Sequence, residues 1–278
     1  MTAPLARLGS VDLAELNAEA ELQTRLDRKY IVPRGVVASV LADLPARTRV
    51  LEIDGERSLR YASQYFDTPA LDSYYGAAQG RRHRFKVRAR TYVDSGGSFL
   101  EVKTRAGRSA TVKNRVPVEG DALDDEAVAY ATDLLADAGV PGAGDLAASL
   151  EPILVTRYRR ATLLLPGADG TDPSRATIDT ELTWIARGGR MLRLPASVIV
   201  ETKSGNRTGA LDRALWRHGH RPATVSKYGT GMAALYPALP AHKWRRVLTR
   251  HFAAGEAGQA PPPTTRTTPP ATARAVAA

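Results

Sequence analysis

The stretch "RHRFKVRARTY", residues 82–92, sets Arg82, Arg84, Lys86, Arg88 and Arg90 at every second position, with His83, Phe85, Val87 and Ala89 between them. Strict alternation is the period of a β-strand, so the cations leave one face and mostly apolar groups leave the other. Neighbouring cations on such a face have Cα atoms about 7 Å apart. A pair at that spacing repels by roughly 2 kcal/mol at an effective dielectric of about 20. The row therefore calls for an anionic partner.

Working outward, the same design recurs. Arg25, Asp27 and Lys29 alternate with Leu26 and Tyr30. Glu101, Lys103 and Arg105 alternate with Leu100 and Val102, and Lys113 and Arg115 stand against Val112 and Val116. Further on, Arg175, Asp179 and Glu181 oppose Ile178 and Leu182, and Glu201 and Lys203 oppose Val200. An ordinary half-exposed sheet accounts for any one of these strands. It accounts less well for six, because solvated faces intersperse signs, and here the cations outnumber the acids. If the sheet curls with helices outside, the charged faces converge on a cationic lumen with a few carboxylates. Such a lumen suits a chain of phosphates with a divalent metal.

The chain has 278 residues, 39 Lys plus Arg against 29 Asp plus Glu, and a net charge of +10, so its expected partners are anionic. Aromatic content of 6% is thin for stacking single-stranded bases, and a nucleic-acid partner is disfavoured. The absence of cysteine removes thiol catalysis and disulfides. No apolar run approaches the ~20 residues of a membrane span, and the amino terminus has no signal-peptide core. The expectation is a cytoplasmic protein, with a peripheral position at a membrane left open. About eight strands interleave with a few helices, of which "LDDEAVAYATDLLADAG" is the clearest. The expected architecture is α+β: a mainly antiparallel, eight-stranded tunnel-type barrel with helices packed outside. A leader spans residues 1–20, the domain 21–252, and a disordered Pro/Thr/Ala-rich tail 253–278.

The order and spacing of "DRKY", "YFDT", "RFKVRARTY", "LEVKT", "VKNRV", "YRRA", "RATIDTEL", "VETK" and "SKYGTG" resemble the VTC-domain family. These are the polyphosphate polymerase domains of the triphosphate-tunnel, CYTH-like superfamily. The resemblance implies a basic tunnel that holds ATP, another nucleoside triphosphate or inorganic polyphosphate with Mn²⁺ or Mg²⁺. Carried over motif by motif, the phosphate-contacting residues are Lys29, Arg88 and Arg90, with Arg84 and Lys86 extending that row. Lys103, Lys113, Arg115, Arg160, Arg175, Lys203 and Lys227 complete the set. Glu201 matches the metal-binding glutamate, with Glu101 or Asp179 as helpers. The superfamily's opening Glu-x-Glu-x-Lys strand is replaced here by Arg25, Asp27 and Lys29. The regulatory SPX domain and membrane helices of the fungal proteins have no counterpart, so membrane coupling is expected from a membrane-protein partner.

Phosphoryl transfer asks a protein mainly for positioning and charge neutralisation. No side-chain nucleophile is expected. Attack by a phosphate chain on ATP makes a polymerase, and attack by water makes a tripolyphosphatase. A polyphosphate-binding module without turnover is the third alternative. Asp67 reads as a helix cap, the five histidines form no zinc spacing, and "HKWRRVLTRH" reads as a solvated basic helix.

Overall fold

In the computed structural model, residues 2–19, 26–105, 112–167, 173–205, 207–253 and 255–260 are described. The strands are β1 (Gly9–Val11), β2 (Leu26–Pro33), β3 (Arg49–Leu51), β4 (Leu59–Asp67), β5 (Arg84–Tyr92), β6 (Ser98–Arg105), β7 (Val112–Pro117), β8 (Glu151–Leu165), β9 (Ser174–Ala186), β10 (Arg190–Leu194), β11 (Ser197–Ser204) and β12 (Glu256–Gln259). The helices are α1 (Thr2–Ala6), α2 (Leu13–Glu19), α3 (Val37–Ala42), α4 (Asp72–Ala78), α5 (Asp125–Asp137), α6 (Ala143–Ala148), α7 (Ala210–Arg217), α8 (Lys227–Leu235) and α9 (Arg245–Val247). Among the described residues no helix is long and apolar enough to cross a membrane.

Eight strands form the main ladder in the order β7-β6-β5-β4-β8-β9-β11-β2, antiparallel at every step. Short strands extend it: β3 on β8, β1 parallel to β3, β10 on β9 and β12 on β10. The α+β, antiparallel expectation holds. The expected closed eight-stranded barrel is corrected to a twelve-stranded sheet that is not closed. At the outer edge of β2, Ala223 N–H donates to the Lys29 carbonyl at 2.7 Å. At the other end, β7 finishes on Pro117, which has no N–H to offer a partner strand.

The sheet nevertheless curls on itself. Lys29 on β2 and Lys86 on β5 are five strands apart in the ladder, about 24 Å if the sheet were flat. Charges that far apart are screened out at physiological salt. Yet the consecutive residues Ser226 and Lys227 reach Lys86 on β5 and Asp179 on β9, three strands apart, and the charge of Lys29 acts on both Lys86 and Lys103. The charged faces of the two walls therefore look at one another.

The apolar faces point outward onto helices. Phe85, Val87 and Ala89 of β5 and Leu100 and Val102 of β6 pack with Ala127, Ala131 and Leu135 of α5. Asp124 caps that helix by accepting the Ala127 N–H, as acids in a first turn predict. On the opposite wall Tyr30, Val32, Ile178, Val198 and Val200 pack with α3 and α7. Each fully buried side chain of this kind is worth about 1.5–3 kcal/mol. This burial holds the alternating strands with their cations inward.

Residues at both ends of the described chain pack or pair with the sheet. Leu5, Val11 and Leu16 of the leader are core residues, because β1 finds an edge on β3. At the other end β12 pairs with β10, whose outer edge is otherwise open. Residues 261–278 of the expected tail lie outside the described residues, as does Arg25.

Candidate functional site

The site is built around the start of α8. Asp67, fully buried at the end of β4, accepts the backbone N–H groups of Thr68, Ser73 and Tyr74 and the hydroxyl of Tyr228. The helix starts later than expected, with Leu71 at its N-cap position, so Asp67 serves its first turn from the end of β4, and it also ties α4 to α8. Gly229 and Gly231 let α8 lie directly on two buried indoles. A Cβ at either position would come within 2.4 Å of Trp244 or 2.3 Å of Trp184. Trp184 Nε1 donates to the Lys227 carbonyl at 2.7 Å, and the Ser226 hydroxyl caps the helix by accepting Gly229 N–H. The "SKYGTG" motif thus reads as one positioning device. It delivers Ser226 to Lys86, whose Nζ donates to its hydroxyl at 3.0 Å, and Lys227 to Asp179.

Besides Asp27, which lies exposed opposite Lys203 and acts on Lys103, three carboxylates divide the charged interior among them. Glu101 on β6 is 3% exposed and sits between Arg88, which donates at 2.8 and 2.5 Å, Arg90 at 3.3 Å and Lys113 at 3.0 Å. Burial alone would raise its pKa; Arg88, Arg90 and Lys113 instead hold it far below the ordinary carboxylate range. Asp179 on β9, fully buried, takes a two-point clasp from Arg160 at 2.6 and 2.8 Å and a further bond from Lys227. Against burial, these partners hold its pKa at about 2. Glu201 on β11 differs. It accepts no hydrogen bond from any described residue, and its one ion pair there is with Lys203 at 3.6 Å. Burial would raise its pKa, but Lys29, Lys203, Arg160 and Lys227 keep it ionised.

The cations are denser than these acids can neutralise. Lys86, Lys103 and Lys113 stand directly opposite one another across β5, β6 and β7, a register that like charges disfavour. Burial, followed by Lys29, Arg88, Lys103 and Lys243, drives Lys86 well below an ordinary lysine. Lys103 is also lowered, by burial and then Lys29. Lys113 is pushed down to about 8 by burial, against the pull of Glu101. Arg115 lies opposite Glu101 with its guanidinium over the Phe99 ring at 5.3 Å. Arg84 pairs in register with Arg105 at the end of the row and donates to the Arg81 carbonyl at 2.8 Å. Lys203 and Arg175 sit opposite each other on β11 and β9.

The structure therefore brings Lys29, Lys86, Arg88, Arg90, Arg160, Lys203 and Lys227 to one interior, with Lys103, Lys113 and Arg115 more exposed on the same face of β6 and β7. Arg84 stands at its rim. The Arg175 guanidinium donates at 3.0 Å to the Leu16 carbonyl and at 2.8 Å to Asn17 Oδ1 of α2, so it anchors the leader. Glu101 and Asp179, expected as helpers to a metal, are committed to cations. Glu181, read as continuing the inward row of β9, is exposed. It has φ +55° in a β-bulge, and the extra residue flips the alternation so that Leu182 turns inward instead.

Sequence reasoning missed Tyr158 and Ser226. The Tyr158 hydroxyl is buried and meets no hydrogen-bond partner among the described residues. Burial would raise its pKa, yet Arg90, Arg160 and Lys227 lower it. Lys227 Nζ lies 4.6 Å from the ring centre. The Tyr-x-Arg spacing of 158 and 160 was the available signal, since both leave the same strand face.

Among the described residues no three His, Asp or Glu side chains converge on one point. Of the three buried acids described above, Glu201 is the carboxylate that accepts no hydrogen bond from a described residue. Mg²⁺ and Mn²⁺ fit such a site when substrate phosphates supply the remaining oxygens.

No curated protein is matched by this chain. Among solved structures, a Hippeastrum protein provisionally assigned as an adenylyl cyclase, with a dominant triphosphatase activity, is 14% identical. The likeness covers 74% of this chain and 94% of that one, with a TM-score of 0.43. A Bacillus halodurans protein provisionally assigned as an adenylate cyclase is 12% identical over 87% of this chain and 95% of that one, with a TM-score of 0.38. The VTC domain family model matches residues 24–236, most of the chain, and the protein belongs to that family.

Proposed function

We propose that the protein synthesises polyphosphate from ATP. The terminal phosphate oxygen of a growing chain attacks the γ-phosphorus of ATP, the bond from that phosphorus to the β–γ bridging oxygen breaks, and ADP leaves. The observation that carries this reading is the interior lined by more cations than its acids can neutralise, with one carboxylate, Glu201, left open. Arg88, Arg90 and Arg160 suit bidentate capture of non-bridging oxygens, and Lys29, Lys86, Lys103, Lys113 and Lys227 supply point charges along the chain. The Tyr158 hydroxyl is placed to donate to a phosphate oxygen. Glu201, with the substrate's phosphates, would hold Mn²⁺ or Mg²⁺, which neutralises charge on the departing diphosphate.

Two features favour transfer between phosphates over hydrolysis. Glu101 and Asp179 are held ionised by their cations and are poor bases for activating water. Glu201, which accepts no hydrogen bond from a described residue, is the acid assigned to the metal. Incubation with ATP and Mn²⁺ tests the reading. Long phosphate chains with ADP are expected. ADP and orthophosphate without chains would reassign the protein as a hydrolase, and no turnover would leave a binding module.

A further inference from the structure

The segment after α8 carries a second cationic feature, outside the interior just described. Residues 242–252 begin with a 3₁₀ turn at His242–Trp244, pass through α9 and end in a π-helical turn at Leu248–Phe252. Trp244, Val247 and Phe252 are buried in the core. The step from 247 to 252 is five residues, one more than an α-turn allows, and the π-turn supplies it. The opposite side of the same segment is left with Arg245, Arg246, Thr249 and Arg250. With His242 they line an open groove of about 580 Å³. Among the described residues none of these three arginines makes an ion pair, and no carboxylate lines the groove. A solvated helix face would carry both signs; this one carries only positive charge.

One residue of the same segment points toward the rim of the interior. Lys243, between His242 and Trp244, donates to the Ala77 carbonyl at 2.6 Å. Its pKa is lowered by burial and then by the charges of Arg84 and Arg105, the last cross-strand pair of the β5–β6 row. Lys243 in turn acts on Lys86, inside. Lys243 thus stands, along the chain, between the groove's His242 and Arg245 and, in space, near the Arg84–Arg105 pair at the rim.

We infer that this groove is an exosite for inorganic polyphosphate, holding the part of a long chain that emerges from the interior. The inference rests on the proposed reading of the interior as a polyphosphate site. A chain gripped at both places gains affinity through effective concentration, whereas a ligand short enough to stay inside gains nothing.

The test compares binding of tripolyphosphate and of polyphosphate several tens of units long, by calorimetry without metal. The wild type is set against a variant carrying Arg245→Ser, Arg246→Ser and Arg250→Ser. All three side chains are on the surface, and a melting curve checks that the fold is kept. The expected result is a loss of about tenfold or more in affinity for the long chain, with tripolyphosphate affinity unchanged within about twofold. Unchanged affinity for both ligands would overturn the exosite while leaving the interior site standing. Failure of the wild type to bind either ligand would overturn both. A variant that keeps long-chain affinity but loses binding to phosphatidylserine vesicles, or to single-stranded DNA, would reassign the groove to a lipid surface or a nucleic acid.

Discussion

Glu101 and Glu201 both leave inward faces of the curled sheet, on opposite walls, and both are ionised. On the β5–β6–β7 wall, Glu101 is shared by Arg88, Arg90 and Lys113, all within 3.3 Å. On the β9–β11–β2 wall, Glu201 has Lys203 at 3.6 Å and accepts no hydrogen bond from a described residue. The difference separates two uses of a carboxylate in a cationic interior. One keeps a cluster of arginines and lysines in place before any substrate arrives. The other keeps its oxygens available for what the substrate brings. A substrate that displaced Glu101 from Arg88 would have to break a two-bond clasp, whereas Glu201 need only turn from Lys203.

The contrast can be broken by neutralising each acid in turn. Glu101→Gln leaves three cations beside one another without their counter-ion, and removal of one partner from a buried ion cluster costs about 3–5 kcal/mol. Chemical denaturation should show a loss in that range. Glu201→Gln should cost less stability than Glu101→Gln, since no hydrogen bond is lost. Its turnover should fall by about 10²–10³, the scale set by removing one group that stabilises charge in a transition state, while tripolyphosphate binding without metal persists. If both variants lose stability equally and turn over alike, the division of labour between the walls is wrong.

A subtler contrast lies in the lysines. Burial and then neighbouring cations hold Lys86 well below its ordinary pKa. A polyanion favours the charged form, so binding of tripolyphosphate at pH 7.5 should take up protons. Calorimetry in two buffers of different ionisation enthalpy measures this, and a proton count of zero would remove Lys86 from the binding face. The smallest effect concerns Lys113, with its pKa pushed down to about 8. It is charged below that value and neutral above it, so affinity for tripolyphosphate should weaken as pH rises from 7 to 9. Lys113→Arg, charged throughout, should flatten that part of the profile. An unchanged profile would move the inflection to another group.

Much of this was legible in the chain because alternation fixes which face a side chain leaves. The rows Arg84–Arg90, Glu101–Arg105 and Lys113–Arg115 came directly from it, as did the outward faces on the helices. Asp67 was legible as an acceptor for a helix start from its residue type, but the N-cap position falls later than its own place suggested, on Leu71. Alternation does not give cross-strand register, and register decides that Arg88 and Arg115 both oppose Glu101. So the commitment of Glu101, and likewise of Asp179, was hidden. The bulge at Glu181 was hidden for a related reason: one inserted residue reverses the face of everything after it. The sequence "EAGQ" at 256–259 has no apolar pattern and pairs only because β10 has a free edge, a property of the assembled sheet.

The central claim is that cations from both walls grip one triphosphate together. The most direct measurement is an experimental structure with a non-hydrolysable ATP analogue and Mn²⁺. The account predicts phosphate oxygens bridging Arg88 and Arg90 on one wall to Arg160 and Lys29 on the other, with the metal on Glu201. Phosphates bound on the outer surface, with the Glu101 and Asp179 clusters enclosing only solvent, would contradict it.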